Sequence, residues 1–120
     1  MRSTAASLLF SLLLLPTGAF AEPLTLEVTE AEGAYDARNG QPLVSFRMSE
    51  ASRKAFADFT AQHVNEKIDI RVDGNSVTQV VIREPITGGT GQILATSVDA
   101  ARQLTERLRA KAPLVVEAIP

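Results

Sequence analysis

The hydrophobic pattern of this 120-residue chain changes its period several times, and the order of those periods constrains the fold more than any other feature. Apolar and polar residues alternate in residues 24–30 and 43–48, which is typical of half-buried strands. Ser49 then precedes a stretch with the 3.6-residue period of an amphipathic helix. Thr96 or Ser97 precedes a second such stretch. The chain therefore alternates between strand-forming and helix-forming segments.

The remaining segments complete the predicted order β-β-α-β-β-β-α-β. The sequence Asp73-Gly74-Asn75 supplies the residues that a tight hairpin needs, between apolar stretches at 68–72 and 77–83. Pro113 ends the second helix before a last strand at 114–119. Elements in this order usually build one sheet with the helices packed on it. We predict an α+β domain with a single mixed or antiparallel sheet and both helices on one face.

The first 21 residues have the features of a secretory signal peptide. Arg2 precedes an apolar run over residues 8–15, and the small-x-small sequence AFA ends at Ala21. The run is far shorter than the roughly 20 residues needed to span a bilayer, so we expect no integral membrane anchor. We predict cleavage after Ala21, which leaves a soluble domain of residues 22–120 in the periplasm or another extracytoplasmic space.

The composition of residues 22–120 excludes several classes of function. This part of the chain has 11 basic and 14 acidic side chains, a net charge of −3, and the sequence has no cysteine. A mildly acidic surface offers no electrostatic basis for binding nucleic acid. Without cysteine, neither disulfides nor thiolate chemistry contribute. Stability must therefore come from apolar burial in one core.

The stretch EPITGGTGQIL, residues 84–94, has three glycines within four residues and raises the question of a phosphate-binding loop. A P-loop requires a lysine after its last glycine, and Gln92 stands there. The dinucleotide fingerprint requires a glycine where this chain has Leu94, and the loop leads into a strand pattern rather than a helix. We therefore predict a structural turn or bulge between strands, and no cofactor.

Candidate catalytic and metal-binding residues are few. His63 is the only histidine and is predicted to lie on the core-facing edge of the first helix, without the further ligands that a metal requires. No nucleophile elbow surrounds Ser45, Ser76 or Ser97. Three aspartates lie at turn or strand positions where this residue is common: Asp36, Asp69 and Asp73. We expect no catalytic or metal site; a small hydrolase would require His63 within hydrogen-bonding reach of a serine and an aspartate.

Some predicted strands carry apolar residues on both faces. The simpler interpretation is that such strands are central in the sheet. The functional interpretation is an exposed groove or edge that accepts a polypeptide by strand addition. The candidate protein-binding residues are Val44, Phe46, Met48, Val80 and Ile82.

Four motifs, in order, are similar to those of one known family. YDARNGQPLVSF resembles an entry strand with aromatic-Asp and Gly-x-Pro-x-Val-x-Phe, and FADFTAQHVNEKIDIRVDGNSV resembles a Phe-x-x-x-Thr helix that leads to Asp-Gly-x-Val. EPITGGTGQI resembles a Pro-Ile-x-Gly-Gly-x-Gly-Gln-Ile turn, and AARQLTERLRAKAPLVV resembles the second helix and its exit. From about Tyr35 to Pro120 the chain thus resembles the head subdomain of the first large extracytoplasmic domain of SecD, the export-motor subunit of the bacterial Sec translocase. The matching positions, expected to be structural, are Tyr35, Asp36, Gly40, Pro42, Phe56, Thr60, Asp73, Gly74, Pro85, Ile86, Gly88, Gly89, Gly91 and Gln92.

The resemblance implies that the glycine-rich turn is a structural connection and that the domain contacts emerging, unfolded polypeptide outside the membrane. The sequence departs from the family at Thr78-Gln79-Val80, where Ser-Ala-Pro is frequent, and at Lys111, where Gly is usual. The membrane helices of the family have no counterpart in this sequence. We expect a freestanding, non-enzymatic protein-binding module related to export. The alternative is a structural or self-associating module that dimerises through a sheet edge.

Overall fold

The computed structural model describes residues 22–120 and confirms the α+β class. The predicted signal peptide and its cleavage site after Ala21 lie outside the described residues. Between residues 22 and 120, no helix is long and apolar enough to cross a membrane. The elements in chain order are β1 (Leu24–Leu26), β2 (Val28–Tyr35), β3 (Pro42–Met48), α1 (Glu50–Gln62), β4 (Lys67–Val72), β5 (Asn75–Val81), β6 (Thr90–Leu94), α2 (Val98–Arg109) and β7 (Leu114–Ile119).

The strands form two sheets, so the predicted single sheet is wrong. One sheet has four strands in the order β1-β7-β4-β5, and the other has three in the order β2-β3-β6. All pairs are antiparallel. The helices also do not share one face, because α1 lies against β1 of the first sheet while α2 packs on β2 and β3 of the second.

The division into two sheets originates at Glu27, inside the stretch that the alternation predicted as one strand. The Glu27 N–H donates to Ser52 Oγ at 2.8 Å, and the Glu27 carbonyl accepts from the Ser49 N–H at 2.9 Å. Both backbone groups are therefore taken by the start of α1 and are lost to a strand ladder. The chain leaves the first sheet before Glu27 and enters the second sheet after it.

Local signals predicted the helix starts and the tight hairpin correctly. Ser49 Oγ accepts from the Ser52 N–H at 3.2 Å, and Ser97, rather than Thr96, caps α2. Asp73 and Gly74 have φ angles of 55° and 84° in the two-residue turn between β4 and β5. These left-handed angles match the right-handed twist of the two strands.

The C-terminus of α2 ends in a Schellman motif. The Lys111 N–H donates to the Leu108 carbonyl at 3.1 Å, and the Ala112 N–H donates to the Arg107 carbonyl at 3.0 Å. Lys111 has a φ of 68°. This is the left-handed position that glycine usually occupies, which explains why glycine is usual in the resembling motif.

The core lies between the sheets and the helices. Val44 is fully buried, and Leu43, its neighbour on the opposite face of β3, is also buried, because β3 is central in its sheet. The core cluster consists of Leu26, Val28, Ala31, Val44, Phe46, Met48, Phe56, Phe59, Ile68, Val72, Ile82, Ile93, Ala95, Ala101, Leu108, Leu114 and Val116.

Candidate functional site

An apolar groove lies between β5 and β6, the strands that end the two sheets. Its volume is about 370 Å³. Val80 and Val81 on β5 are each 39% exposed. We call it the β5–β6 groove; it is lined by Phe46, Phe56, Ile68, Ile70, Val80, Val81, Ile82, Arg83, Glu84, Ile86, Thr90, Gly91, Gln92 and Ile93.

The β5–β6 groove continues along both strands into a second cleft of about 210 Å³, lined among others by Val77, Leu94 and Leu104. Ile93 lines both cavities. Val77 lies with Leu94 at one end, whereas Val81 and the start of β6 line the other end, so the two strands run in opposite directions past each other. The five residues of β6 extend over about 16 Å. The groove therefore has the length of a short extended segment.

The backbone of β5 presents unpaired groups to the groove. The Ile82 N–H donates to the Glu66 carbonyl at 3.0 Å, and the Ile82 carbonyl accepts from the Asn65 N–H at 2.6 Å. Both backbone groups of Ile82 thus face the β4 side. Because these groups alternate along an antiparallel strand, those of Val81 and Gln79 point away from β4.

The backbone of β6 presents its own groups from the opposite side. The Gly89 carbonyl accepts from Met48 N–H, and the Ala95 N–H donates to the Pro42 carbonyl, both at 2.9 Å, so these groups face β3. By the same alternation, the backbone groups at the intervening positions point away from β3. Those positions are Thr90, Gln92 and Leu94.

The segment after β5 forms one wall of the groove and is fixed by two side chains of α1. Thr60, which is fully buried, donates its hydroxyl to the Phe56 carbonyl at 2.9 Å and accepts from the Ile86 N–H at 2.8 Å. Arg53 donates to the Thr87 carbonyl at 3.2 Å. The Phe-x-x-x-Thr and Pro-Ile motifs are therefore one structural unit in three dimensions.

Arg53 is itself held by an ion pair with Glu50 on the exposed side of α1. The hydrogen bond from Arg53 lowers the pKa of Glu50 below its ordinary value, and the same bond raises the pKa of Arg53. Both groups therefore stay charged across the physiological pH range.

At two positions in the loop, steric constraints explain why the residue is glycine. A Cβ on Gly91 would lie 2.6 Å from Phe46 Cζ, because Gly91 is the direct cross-strand partner of Phe46. Gly89 has a φ of 76°, and a Cβ there would lie 3.0 Å from Arg53 Cδ. A Cβ on Gly88 would meet nothing within 4 Å. The loop leads into β6, as the strand pattern predicted.

The candidate protein-binding residues fall into two groups. Phe46, Val80 and Ile82 line the groove, although only Val80 is substantially exposed. Val44 and Met48 are buried in the core and do not line the groove. The candidates did not include several apolar lining residues, namely Ile68, Ile70, Val81 and Ile93. The three consecutive apolar residues Val80-Val81-Ile82, at the end of a strand, were the available signal for Val81.

The motif around Asp36 and Gly40 builds the connection between β2 and β3, outside the groove. The Gly40 N–H donates to the Asp36 carbonyl at 2.8 Å, and Gly40 has a φ of 73°. The Asp36 carboxylate accepts from the Arg38 backbone N–H at 2.8 Å, and this bond, with the Arg38 side chain, lowers the pKa of Asp36. Tyr35 is 64% exposed, and Pro42 begins β3. These residues shape a turn.

The polar residues considered for catalysis are engaged in local contacts. The His63 ring lies 4.5 Å from that of Phe59, and its Nδ1 is 2.8 Å from Glu66 Oε1. Among residues 22–120, no serine or aspartate forms a hydrogen bond with His63, so the arrangement that a hydrolase requires is not formed. Buried Asp69 is hydrogen-bonded by Ser76 and Arg71. Within the described part of the chain, no three potential metal ligands converge.

Comparison with known proteins identifies the family. Residues 25–115 match the SecDF P1 head subdomain. The chain belongs to this family. The matched range runs from β1 to β7 and includes the residues on both sides of the β5–β6 groove.

Relatives of this P1 head domain include two protein translocase subunits SecD. That of Dictyoglomus turgidum is 43% identical over 82 residues, which cover 67% of this chain and 21% of the relative. That of Thermobaculum terrenum is 35% identical over 83 residues, which cover 69% of this chain and 16% of the relative. The chain thus spans only about a fifth of the length of these relatives.

Solved structures of SecDF share the fold of this P1 head domain. One is described as a membrane component that enhances protein export. The match covers 78% of this chain and 43% of the SecDF chain, with 29% identity and a TM-score of 0.67. A crystal structure of SecDF in its super-membrane-facing form has the same TM-score and identity, and 13% of that chain is covered. The predicted resemblance is therefore confirmed in sequence and in fold.

Proposed function

We propose that this P1 head domain is a non-enzymatic, extracytoplasmic module of protein export that binds an extended segment of non-native polypeptide in the β5–β6 groove. The observation that carries the proposal is the exposure of Val80 and Val81 on the edge strand β5, where they line a groove whose other side is the edge strand β6. Exposed apolar residues at a strand edge favour association with another chain.

Strand addition explains how one groove would accept many sequences. The outward-facing backbone groups of Gln79 and Val81 on one side, or of Gln92 on the other, would hydrogen-bond to any extended segment. Apolar side chains of the segment would pack against Val80, Ile86 and the other lining residues. Because these hydrogen bonds involve only backbone, they would not themselves discriminate between sequences.

The relatives support a role in export. SecD is named a protein translocase subunit, and SecDF is described as enhancing protein export. The present chain corresponds to a part of those proteins, and we infer a polypeptide partner for it by analogy with their role in export. The extracytoplasmic location rests on the predicted signal peptide; an N-terminus at Glu22 in the exported protein would support it.

The test is an amide NMR titration of the purified protein with an unfolded secretory polypeptide and with the same polypeptide in its folded form. We expect shifts at Gln79, Val81, Thr90, Gln92 and Leu94 with the unfolded form alone. No shifts with either form would contradict the proposal. Shifts that depend on protein concentration without added polypeptide, together with concentration-dependent sedimentation, would favour the self-associating alternative.

A matched pair of substitutions assigns the binding to the groove. Val80→Asp places a charge among the lining residues and is expected to weaken polypeptide binding by about tenfold or more. Val98→Asp is the control, because Val98 is 48% exposed and lies outside the groove. Equal weakening by both variants would show that binding is not located in the groove.

A further inference from the structure

Charged side chains are distributed unequally around the β5–β6 groove. Arg83 and Glu84 line the end near Val81, and Arg107 lines the cleft at the other end. Lys67 is the direct cross-strand partner of Val81, so its side chain lies beside Val81 on the same face of the sheet. All four charged residues are exposed.

The charged residues that line the two clefts, Arg83, Glu84 and Arg107, have a net charge of +1, and Lys67 adds a positive charge beside Val81. Lys67, Arg83 and Arg107 outnumber Glu84, whereas residues 22–120 as a whole have 11 basic and 14 acidic side chains. Within this part of the chain, none of the four forms an ion pair. Their charges are therefore available to a bound segment, and the groove is a positive region on an acidic domain.

The positions of the cations set a spacing. Arg83 and Lys67 lie at the end near Val81, and Arg107 lies beside the end of β6 at Leu94. The distance along the groove corresponds to about five residues of extended chain. A segment bound along the groove would place its apolar core between the cations and its flanking residues beside them.

We infer that the groove selects extended segments by charge: it binds an apolar core of about five residues that has Asp or Glu on both sides, and it disfavours the same core between Lys or Arg. The inference rests on the proposed function. Rim charges of this kind contribute modestly to affinity and more to the rate of association, and like charges oppose binding by similar amounts.

The test compares three peptides that share one alternating aliphatic core and differ only in their flanks, which are Glu, Gln or Lys. Their affinities for the purified protein are measured by fluorescence anisotropy. At low salt we expect the Glu-flanked peptide to bind about tenfold more tightly than the Lys-flanked peptide, with the Gln-flanked peptide between them. Near 1 M salt, where the screening length is about 3 Å, the difference should fall to about twofold.

Charge-reversal variants locate the effect. Arg83→Glu combined with Arg107→Glu is expected to reverse the order of the three peptides, because both arginines are exposed and neither is ion-paired among the described residues. Lys54→Glu is the control for charge reversal itself, since it changes the net charge by two units, as each arginine substitution does, at an exposed position of α1 outside the lining of either cleft. The control should keep the wild-type order.

The outcomes separate this inference from the function on which it rests. Equal binding of all three peptides, or tighter binding of the Lys-flanked one, would overturn the charge selection and leave polypeptide binding intact. If none of the three peptides binds, the proposed function is overturned, and the inference with it. A preference that survives unchanged near 1 M salt would also overturn the electrostatic explanation.

Discussion

The edge of β2 is covered, whereas the edges of β5 and β6 are open. On β2, the Ala31 carbonyl accepts from Arg109 Nε at 2.7 Å, and the Val28 carbonyl accepts from Lys111 Nζ at 3.0 Å. Two cationic side chains from the end of α2 therefore occupy positions where another strand would bind. At β5, Val81 and Gln79 direct their backbone groups outward, and no residue in the described part of the chain bonds to them.

Covering one edge and leaving another open has a consequence for association. Charged side chains at an edge oppose pairing with another chain, and open apolar edges favour it. In this domain α2 protects the edge of β2, whereas β5 and β6 keep unpaired edges at the groove. The difference between the two regions thus supports the proposed binding at the groove.

If the β5–β6 groove owes its shape to the contact between Phe46 and Gly91, a side chain at Gly91 should have the largest effect on stability. Gly91→Val places atoms against the Phe46 ring and is expected to lower the free energy of unfolding by about 3 kcal/mol. Gly88→Val, where a Cβ would meet nothing within 4 Å, should change it by no more than about 0.5 kcal/mol. Urea denaturation measures both, and equal losses would show that the contact does not shape the groove.

The wall of the groove provides the next test, through the buried hydroxyl of Thr60. Thr60→Val leaves the Ile86 N–H without its acceptor and should cost about 2 kcal/mol. Thr105→Val is the control, because the Thr105 hydroxyl donates only within α2, to Ala101, and its loss should cost about 1 kcal/mol or less. Hydrogen exchange at the Ile86 amide should accelerate in the first variant alone. Unchanged exchange would mean that Thr60 does not hold the wall.

The covered edge is tested with a smaller effect at Lys111, where two contributions oppose each other. Lys111→Gly removes the donor to Val28 but relieves the left-handed backbone, so the net change in stability should stay within about 1 kcal/mol. Lys111→Ala removes the donor and keeps the strain, and should be less stable than the glycine variant by about 1 kcal/mol. Urea denaturation separates the two variants. A glycine variant less stable than the alanine variant would show that the backbone at this position is not strained.

The smallest effect concerns the turn between β2 and β3, remote from the groove. The Arg38 N–H lowers the pKa of Asp36 below its ordinary value of 3.8. The pKa of Asp36 is lower in the folded state than in the unfolded state. The ionised carboxylate therefore stabilises the fold at pH values above the unfolded-state pKa, and this contribution is lost as the pH falls through the folded-state pKa. Asp36→Asn should therefore weaken the loss of stability in acid, as measured by urea denaturation at several pH values. An unchanged acid dependence would contradict the lowered pKa of Asp36. Because the turn is remote from the groove, the amide NMR signals of the groove should not move in this variant.

Local features of the sequence determined most of the elements, because they depend on neighbouring residues. Ser49 and Ser97 cap helices through bonds to residues three positions away, and Asp73-Gly74 closes its hairpin within the turn itself. The motifs also identified the family, since they preserve residue types in order. The chain order of strands and helices was therefore readable from sequence, apart from the interruption at Glu27.

Only the tertiary structure decided how the strands divide into sheets and where the open groove lies. Glu27 leaves the ladder because Ser52, which is 25 positions away, takes its N–H, and alternation carries no information about such a bond. Val44 and Val80 both lie in predicted strands, yet one is fully buried and the other 39% exposed. Their difference arises because β3 is central in its sheet and β5 is at an edge. Strand order is set by contacts between distant segments, and the period of the sequence does not encode it.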